Sequence, residues 1–465
     1  MRKHIHTNQD GTLLIIVVVM TGIFVFMLSG YLSLMTYQQR LTNAKIAGIQ
    51  SLHIAEAGVN YYRWHLAHDP DDYTDGTGGP GPYVHDYYDP TTGLIGQYSL
   101  EIDPPEPGST IVTIRSTGWV NDYPDIERTV EVTYGKPSLA KYSFLTNSDV
   151  WLGDSESVSG EMHSNGGVRM DGTNDSLVTS ALATYTCTPS HGCSYETKDG
   201  VWGTGPNSDL WSFPVTEVDF ATITLDLADI KTEAETNGDY YPDSSYGYHI
   251  TFLADGTYNI YTVTSLQSSL YQIDDDDFSG CESKSEGIAS ETFIGNYPIP
   301  TNSTIFVEDD LWIDGVLNGK ITVAAARFPA NPSTYANIYI NNNLTYVARD
   351  NTNALGLVAQ KNIQVPRHAP SDLTIDAILL AQNGRVYRAY YCWWPHRLVT
   401  NSIEVYGGII TNKIWTWTWV SGSTTVDGYD STNSIFHNNL LFAPPPYFPT
   451  SGEYQFITWE EIPTP

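Results

Sequence analysis

The sequence predicts a long N-terminal α-helix, then a small antiparallel β-sheet, then a large and mainly β ectodomain. Three patterns lead to this prediction. Residues 12–35 form an uncharged apolar run, and small or apolar residues then recur at intervals of three or four up to Leu66. After residue 96, short alternating segments rich in β-formers are separated by Gly, Asn, Asp and Pro, which is typical of strands and turns.

The first predicted element is one helix over residues 12–67. Its apolar run would span about 36 Å as a helix, which is enough to cross a bilayer core of about 30 Å. Arg2 and Lys3 precede the run, so we expect a single-pass protein with a cytoplasmic N-terminus and an extracellular or periplasmic ectodomain. The striped second half presents Leu41, Ala44, Gly48, Leu52, Ala55, Val59, Tyr62 and Leu66 on one face.

Two short motifs flank the apolar run. The first is Gln-Asp-Gly-Thr-Leu-Leu-Ile at residues 9–15, and the second contains Ala55, Glu56, Ala57 and Gly58. Together they resemble the N-terminal region of PilX-type, type IV pilin-like proteins (minor pilins). The resemblance covers residues 1–67 and extends weakly to about residue 135. It implies that a prepilin peptidase removes the basic leader (1–11) between Gly11 and Thr12, after which the helix assembles with other pilin-like subunits and the inner-membrane machinery.

The chain departs from the family pattern at two positions. Thr12 stands where the first mature residue is usually Phe, and Ile16 stands where most pilins carry a Glu. A Glu in lipid is costly without a partner, so its absence suggests a rare or terminal subunit rather than the repeating one. A plain signal anchor and a secretion-system pseudopilin are the alternatives.

The composition limits what the ectodomain can bind. The 53 acidic and 22 basic side chains give a net charge of −31, which repels phosphates, so we expect no direct binding of nucleic acid. We expect no cofactor. Calcium is left open, because acids cluster in the loop 68–96 and at 274–277, although neither has the spacing of an EF-hand loop.

Four segments follow the helix. Residues 68–96 read as a loop and 97–135 as the pilin-like β-sheet. Residues 140–443 read as a right-handed parallel β-helix, because short strands recur at intervals of roughly 8–20 residues. The alternative is a β-sandwich. An irregular insertion is expected at 173–300, with a short helix at 225–235, and a Pro-rich extended tail at 444–465.

The four cysteines fit an oxidising compartment. Cys187 and Cys193 enclose a tight loop with Pro and Gly, which predicts a local disulfide. A metal site that uses His191 is the less favoured reading, because no second cysteine pair lies nearby. Cys281 and Cys392 either pair with each other or remain free.

The candidate catalytic groups are acidic. A polysaccharide lyase or hydrolase needs paired carboxylates in a groove, and the candidates are Asp309, Asp310, Asp314 and Asp376. Turn formation explains the first three, and one further carboxylate does not make a site. We therefore predict that the protein is not an enzyme and has no catalytic or metal-binding residues.

Aromatic residues form a second candidate site. Trp415, Trp417 and Trp419 alternate with threonine, so a strand would place the three indoles on one face. Exposed, they would form a platform for a surface carbohydrate or protein ligand, as would the nearby rings of 390–394. Buried, they would stack in the core.

The sequence therefore predicts an acidic, membrane-inserted minor pilin-like protein at the bacterial cell surface. It would take part in assembly of a type IV pilus or pseudopilus and display a β-rich domain for adhesion. The alternative is a membrane-anchored, carbohydrate-active β-helix enzyme.

Overall fold

The computed structural model describes residues 10–105, 109–154, 156–220, 223–273, 280–301, 303–421, 424–437, 440, 444–450 and 454–463. The chain divides into two compact units. The first contains Met1–Pro104, Ile111–Gly135 and Tyr454–Pro465. The second contains Pro105–Thr110 and Lys136–Glu453.

The described helices are α1 (Asp10–His68) and α2 (Ile223–Thr236). The strands before α2 are β1 (Tyr83–Asp89), β2 (Gly93–Asp103), β3 (Val112–Val120), β4 (Tyr123–Gly135), β5 (Phe144–Thr146), β6 (Val150–Leu152), β7 (Ser157–Val158), β8 (Met162–Ser164), β9 (Val168–Met170), β10 (Thr173–Asn174), β11 (Val178–Ser180), β12 (Thr184–Cys187), β13 (Glu196–Asp199), β14 (Val201–Trp202) and β15 (Trp211–Ser212). The strands after α2 are β16 (Asp239–Tyr241), β17 (Tyr248–Leu253), β18 (Thr257–Leu266), β19 (Leu270–Ile273), β20 (Cys281–Lys284), β21 (Ile288–Pro298), β22 (Thr304–Val307), β23 (Leu311–Leu317), β24 (Lys320–Ala325), β25 (Ile338–Tyr346), β26 (Ala354–Ala359), β27 (Ile363–Val365), β28 (Asp372–Ala381), β29 (Val386–Arg388), β30 (Val399–Thr411), β31 (Thr418–Ser421), β32 (Thr424–Phe436) and β33 (Gln455–Ile462).

The two halves of α1 have different surroundings. The apolar side chains of its first half are exposed, from 46% at Ile23 to 81% at Phe26. By length and composition α1 can cross a membrane, since its most apolar window has a mean hydropathy of 2.7 and is not buried at all. This finding fits the predicted single-pass anchor.

The second half of α1 packs on a five-stranded antiparallel sheet with the strand order β1-β2-β3-β4-β33. Alternate residues of β3 are buried, as expected for a sheet with one covered face. The buried apolar residues of α1 are Ala47, Ile54, Ala55, Val59, Tyr62 and Leu66. A long helix followed by an antiparallel sheet and a mainly β ectodomain is therefore confirmed.

The helix approaches β3 most closely at Gly118. A Cβ atom on Gly118 would lie 2.4 Å from the Ala55 nitrogen and 2.4 Å from the Ser51 oxygen, both of which are backbone atoms of α1. On the helix side, a Cβ atom on Gly58 would lie 2.3 Å from the Ser116 Oγ. Small residues on both elements therefore permit backbone contact between helix and sheet.

Two strands of this sheet lie where the sequence predicted none. Strand β1 falls inside the predicted loop 68–96. The sequence does not predict it, because Gly- and Pro-rich residues flank Tyr83–Asp89, whose side chains alternate between half-buried and exposed. Strand β33 falls inside the predicted tail 444–465 and pairs with β4. The chain therefore returns to its first sheet after completing the second unit.

The second unit is built around a ladder of parallel strands. Ile305, Val323, Leu357, Leu379 and Ile409 are successive register partners on β22, β24, β26, β28 and β30, and all are buried. The ladder then continues from β30 to β5, β8 and β11, which come earlier in the chain. The early strands thus stack on the last long strand of the ladder.

Antiparallel pairs extend this ladder, so the sheets are mixed. Strand β17 pairs in parallel with β23 and antiparallel with β18, which pairs with β21. The predicted insertion at 173–300 contains β17, β18 and β21, and α2 includes the predicted helix at 225–235. The right-handed parallel β-helix is not established by this mixture of pairings and stays a prediction.

We predict that Gly118→Ala lowers the free energy of unfolding by about 1–3 kcal/mol, because its methyl group meets helix backbone that cannot rotate away. Gly48→Ala is the matched control. Its Cβ would lie 3.7 Å from Ile126, an ordinary contact, and alanine favours a helix by up to about 1 kcal/mol. Thermal unfolding of the full-length protein in detergent measures both. Equal losses would contradict the close-approach account.

Candidate functional site

The residues of the family-like motifs lie on α1. Gly11 and Thr12 fall just after the start of the helix at Asp10, and their side chains lie outside the described part of the molecule, as do residues 1–9. Ala55 and Gly58 are buried against the sheet. Glu56 and Ala57 are half-buried, and Glu56 Oε2 lies 3.3 Å from His53 Nδ1. The second motif thus serves close packing in this chain.

Of the two alternatives for Trp415, Trp417 and Trp419, their positions fit core stacking rather than an exposed platform. Trp417 is only 2% exposed, and the other two indoles are half-buried. Trp415 packs edge-on against Phe144, and Trp419 donates its Nε1 hydrogen to the Arg388 carbonyl at 2.9 Å. Regular strand pairing begins only at Thr418, so the alternation in the sequence does not place three indoles on one exposed face.

The exposed indoles of the neighbouring segment 390–394 are instead Trp393 and Trp394, at 60% and 73%. They belong to residues 391–398, here named the tryptophan loop, which contains the short three-ten turn Trp394–His396. Arg397 lies over the Tyr390 ring at 4.4 Å and donates to the Tyr391 carbonyl at 3.0 Å. The loop therefore presents two rings outward while its own arginine turns back onto it.

A buried carboxylate joins the two ends of the tryptophan loop. Asp427 accepts hydrogen bonds from the backbone nitrogens of Tyr391 at 2.8 Å and Leu398 at 3.0 Å. Burial raises the pKa of Asp427, while these hydrogen bonds and the charge of Arg388 act in the opposite direction. Asp427 therefore fixes the width of the loop at its base.

A second buried carboxylate, Glu286, lies beneath the same region. Its oxygens accept hydrogen bonds from Gln272, Gln364, the Arg367 backbone and the Tyr391 hydroxyl, all at 2.6–2.7 Å. Burial raises the pKa of Glu286. The four donors compensate for lost hydration and connect the β19–β20 hairpin to β27 and to the loop.

Both pairs of cysteines form disulfides. Cys187 bonds to Cys193, as the sequence predicted, and Cys281 bonds to Cys392, the pairing that the sequence left open. The second bridge ties the start of β20 to the tryptophan loop across 111 residues of chain. The loop is thus held by a covalent bond as well as by Asp427.

The four carboxylates considered for catalysis all have partners within the fold. Asp309 and Asp376 are buried, and each forms an ion pair with an arginine. The partners are Arg327 for Asp309, the Asn337 backbone and Arg327 for Asp310, His249 and Asn341 for Asp314, and Arg349 and the Tyr346 backbone for Asp376. These contacts account for each acid structurally, and the absence of enzymatic activity stays a prediction.

His249 bridges two carboxylates. Its Nδ1 lies 2.8 Å from Glu291 Oε2 on β21, and its Nε2 lies 3.2 Å from Asp314 Oδ2 on β23. Burial opposes the charge, but the hydrogen bond to Asp314 and the charges of Asp314 and Glu291 outweigh burial and raise the pKa of His249. The His249 ring thus fastens the antiparallel strands to the ladder.

Metal binding receives no support within the described residues, where no three His, Cys, Asp or Glu side chains form a group that could hold an ion. The acidic run 274–277 lies outside the described residues. The sequence leaves calcium open, and the described residues do not test it at this run.

No local pattern in the sequence identifies Glu286, Asp427 or His249. Glu286 precedes a glycine and Asp427 follows a polar stretch, so both resemble ordinary turn acids. His249 alternates with apolar residues on β17 and resembles a solvent-facing strand residue. Their partners come from segments far away in the chain, which local patterns do not reveal.

No family model matches the chain, and no curated protein matches it. Among solved structures, the chain is similar to the competence-associated pilin ComZ from Thermus thermophilus. The two are 13% identical, the match covers 90% of this chain and 97% of ComZ, and the TM-score is 0.29. At this TM-score the similarity does not extend to function.

We predict that Cys281→Ser/Cys392→Ser lowers the stability of the second unit more than Cys187→Ser/Cys193→Ser does. The bridges enclose separations of 111 and 6 residues, and the chain-entropy model gives a difference of about 2–3 kcal/mol. Denaturant unfolding under non-reducing conditions measures the two losses. A larger loss for the short bridge would refute the prediction.

We also predict opposite pH dependences for two histidine variants. The pKa of His249 is raised in the folded protein. Its contribution to the free energy of unfolding is therefore fully present below the pKa that it has in the unfolded chain, and is lost as the pH rises through the pKa that it has in the folded protein. His249→Gln should cost about 1–3 kcal/mol near pH 5.5 and progressively less at higher pH.

His163→Gln is the control for this series. Burial lowers the pKa of His163 in the folded protein. Its contribution to the free energy of unfolding is therefore fully present above the pKa that it has in the unfolded chain, and is lost on acidification. The difference from wild type should therefore shrink as the pH falls. Unfolding in detergent across pH 5–9 compares the two variants, and parallel trends would show that the bridge to Glu291 and Asp314 does not set the dependence.

Proposed function

We propose that the chain is a minor pilin-like, membrane-inserted surface protein. The observation that supports this most strongly is the division of α1. The apolar side chains of its first half are exposed, whereas its second half packs on an antiparallel sheet, with close backbone contact at Gly118. A subunit that must slide among other helices in a membrane or fibre needs such an uncovered half.

The proposed partners follow from this helix. Other pilin-like subunits would cover the exposed apolar half, and a prepilin peptidase would first remove the leader between Gly11 and Thr12. Ile16 lacks the carboxylate that could pair with a neighbour's amino terminus, which favours a rare subunit of the PilX type. The N-terminus would start in the cytoplasm and the two folded units would lie outside.

We infer that the parallel ladder of the second unit is a β-helix displayed for adhesion. Register columns of buried aliphatic residues support this inference, as does a stack of turn side chains. Asp310 Oδ1 accepts from the Asn337 backbone at 2.7 Å, and Asn362 Oδ1 accepts from the Arg385 backbone at 2.8 Å. In a stacked solenoid, repeated hydrogen bonds of this kind, from backbone nitrogen to side-chain oxygen, connect neighbouring coils.

The N-terminal sequence and mass of the protein taken from its native cell surface test the proposal. We expect a chain that begins at Thr12. Gly11→Val should retain the leader, whereas Gly22→Val, the same change within the apolar run where a Cβ meets nothing within 4 Å, should be processed normally. A mature chain that still begins at Met1 would make the protein a plain signal-anchored protein and reject the pilin-like function.

A further inference from the structure

We propose that the tryptophan loop is a binding site for a carbohydrate that contains an acidic sugar, such as a uronic acid. The site consists of the Trp393 and Trp394 rings with the guanidinium groups of Arg397 and Arg367. This inference rests on the proposed adhesive function and specifies the chemistry of the ligand.

The indoles are held in place without being buried. Asp427 joins the two ends of the loop, and the Cys281–Cys392 bridge anchors it. Arg367 donates its Nε hydrogen to the His396 carbonyl at 2.7 Å, which fixes the turn from below. Exposed aromatic rings on a rigid support bind with little loss of conformational entropy, so this support favours a binding surface.

The charge around the loop differs from that of the chain as a whole. No acid occurs between Asp376 and Glu404, a stretch that includes Arg385, Arg388 and Arg397, although the chain carries a net charge of −31. Asp427 and Glu286 lie beneath the loop, and burial raises the pKa of both. Arg385 and Arg388 are buried, so the arginines that can reach a ligand at the loop are the half-buried Arg397 and Arg367.

Arg367 and Arg397 also differ from five other arginines of the ectodomain. Arg115, Arg128, Arg169, Arg327 and Arg349 each form an ion pair with a carboxylate. Among the described residues, the guanidinium groups of Arg367 and Arg397 form no ion pair with a carboxylate and donate to backbone carbonyls of the loop. Guanidinium groups without such partners suit a ligand carboxylate.

A sugar ring matches both features. The flat C–H face of a pyranose stacks on an indole, its hydroxyls accept and donate at the rim, and a uronic carboxylate reaches a guanidinium group. An acidic peptide would satisfy the arginines but would offer no flat face for two adjacent indoles. A densely charged polyanion would be repelled by the rest of the surface, so the site favours a sparsely charged glycan.

Binding of trigalacturonic acid to the full-length protein in detergent tests the proposal, with the neutral galacto-trisaccharide as the comparison ligand. We expect quenching or a shift of tryptophan fluorescence with the acidic sugar, and weaker binding at high salt. Trp393→Ala/Trp394→Ala should weaken binding about tenfold or more, and Arg397→Gln should remove the preference for the acidic sugar.

Tyr195→Ala is the matched control, because Tyr195 is 72% exposed and lies outside the tryptophan loop. It should leave binding unchanged. An intact Cys281–Cys392 bridge in each variant, checked by mass, shows that the loop is still anchored.

Three results would overturn the site: no binding of either sugar, equal binding by the double tryptophan variant, or binding only to vesicles of phosphatidylglycerol, which would assign the patch to a lipid surface. Because this measurement does not depend on processing at Gly11, a failure here leaves the pilin-like proposal standing, and a chain that retains Met1 leaves the sugar site standing.

Discussion

Backbone contact between α1 and β3 at Gly118 is the constraint on which the first unit depends. The helix must leave its first half uncovered, so all of its tertiary stabilisation comes from the second half. Close approach there lets Ile54, Val59 and Tyr62 bury their side chains against the sheet. A larger residue at Gly118 would separate the two layers and weaken every one of these contacts.

The same sheet is completed by β33, which comes from the far end of the chain. The segment Lys136–Glu453 of the second unit is therefore inserted between β4 and β33, two neighbouring strands of the first. Pairing strands so far apart in sequence requires loop closure over more than 300 residues, which is slow and entropically costly before the insertion folds.

Two buried carboxyl groups beneath the tryptophan loop hold its backbone in place while its indoles remain exposed. Asp427 and Glu286 each receive several hydrogen bonds, and both lie in the field of Arg388. A buried acid with its donors in place is costly to form but specifies one arrangement of the segments around it. The loop that carries the exposed rings of Trp393 and Trp394 is consequently held from below by Asp427 and Glu286.

The elements that the sequence determined are those coded by local pattern. The long apolar run, the stripe from Gly48 to Leu66 and the alternation in β3 each reflect a periodicity that local geometry imposes. The Cys187–Cys193 bridge likewise follows from a separation of 6 residues. Only the tertiary structure decided that β5 stacks on β30, that β33 returns to β4, that Trp417 is buried while Trp394 is exposed, and that Asp427 and Glu286 serve as anchors. Each of these outcomes depends on which distant segment supplies a register partner or a hydrogen-bond donor. The local pattern of a segment determines what kind of strand or turn it can form, but it does not determine which distant segment packs against it.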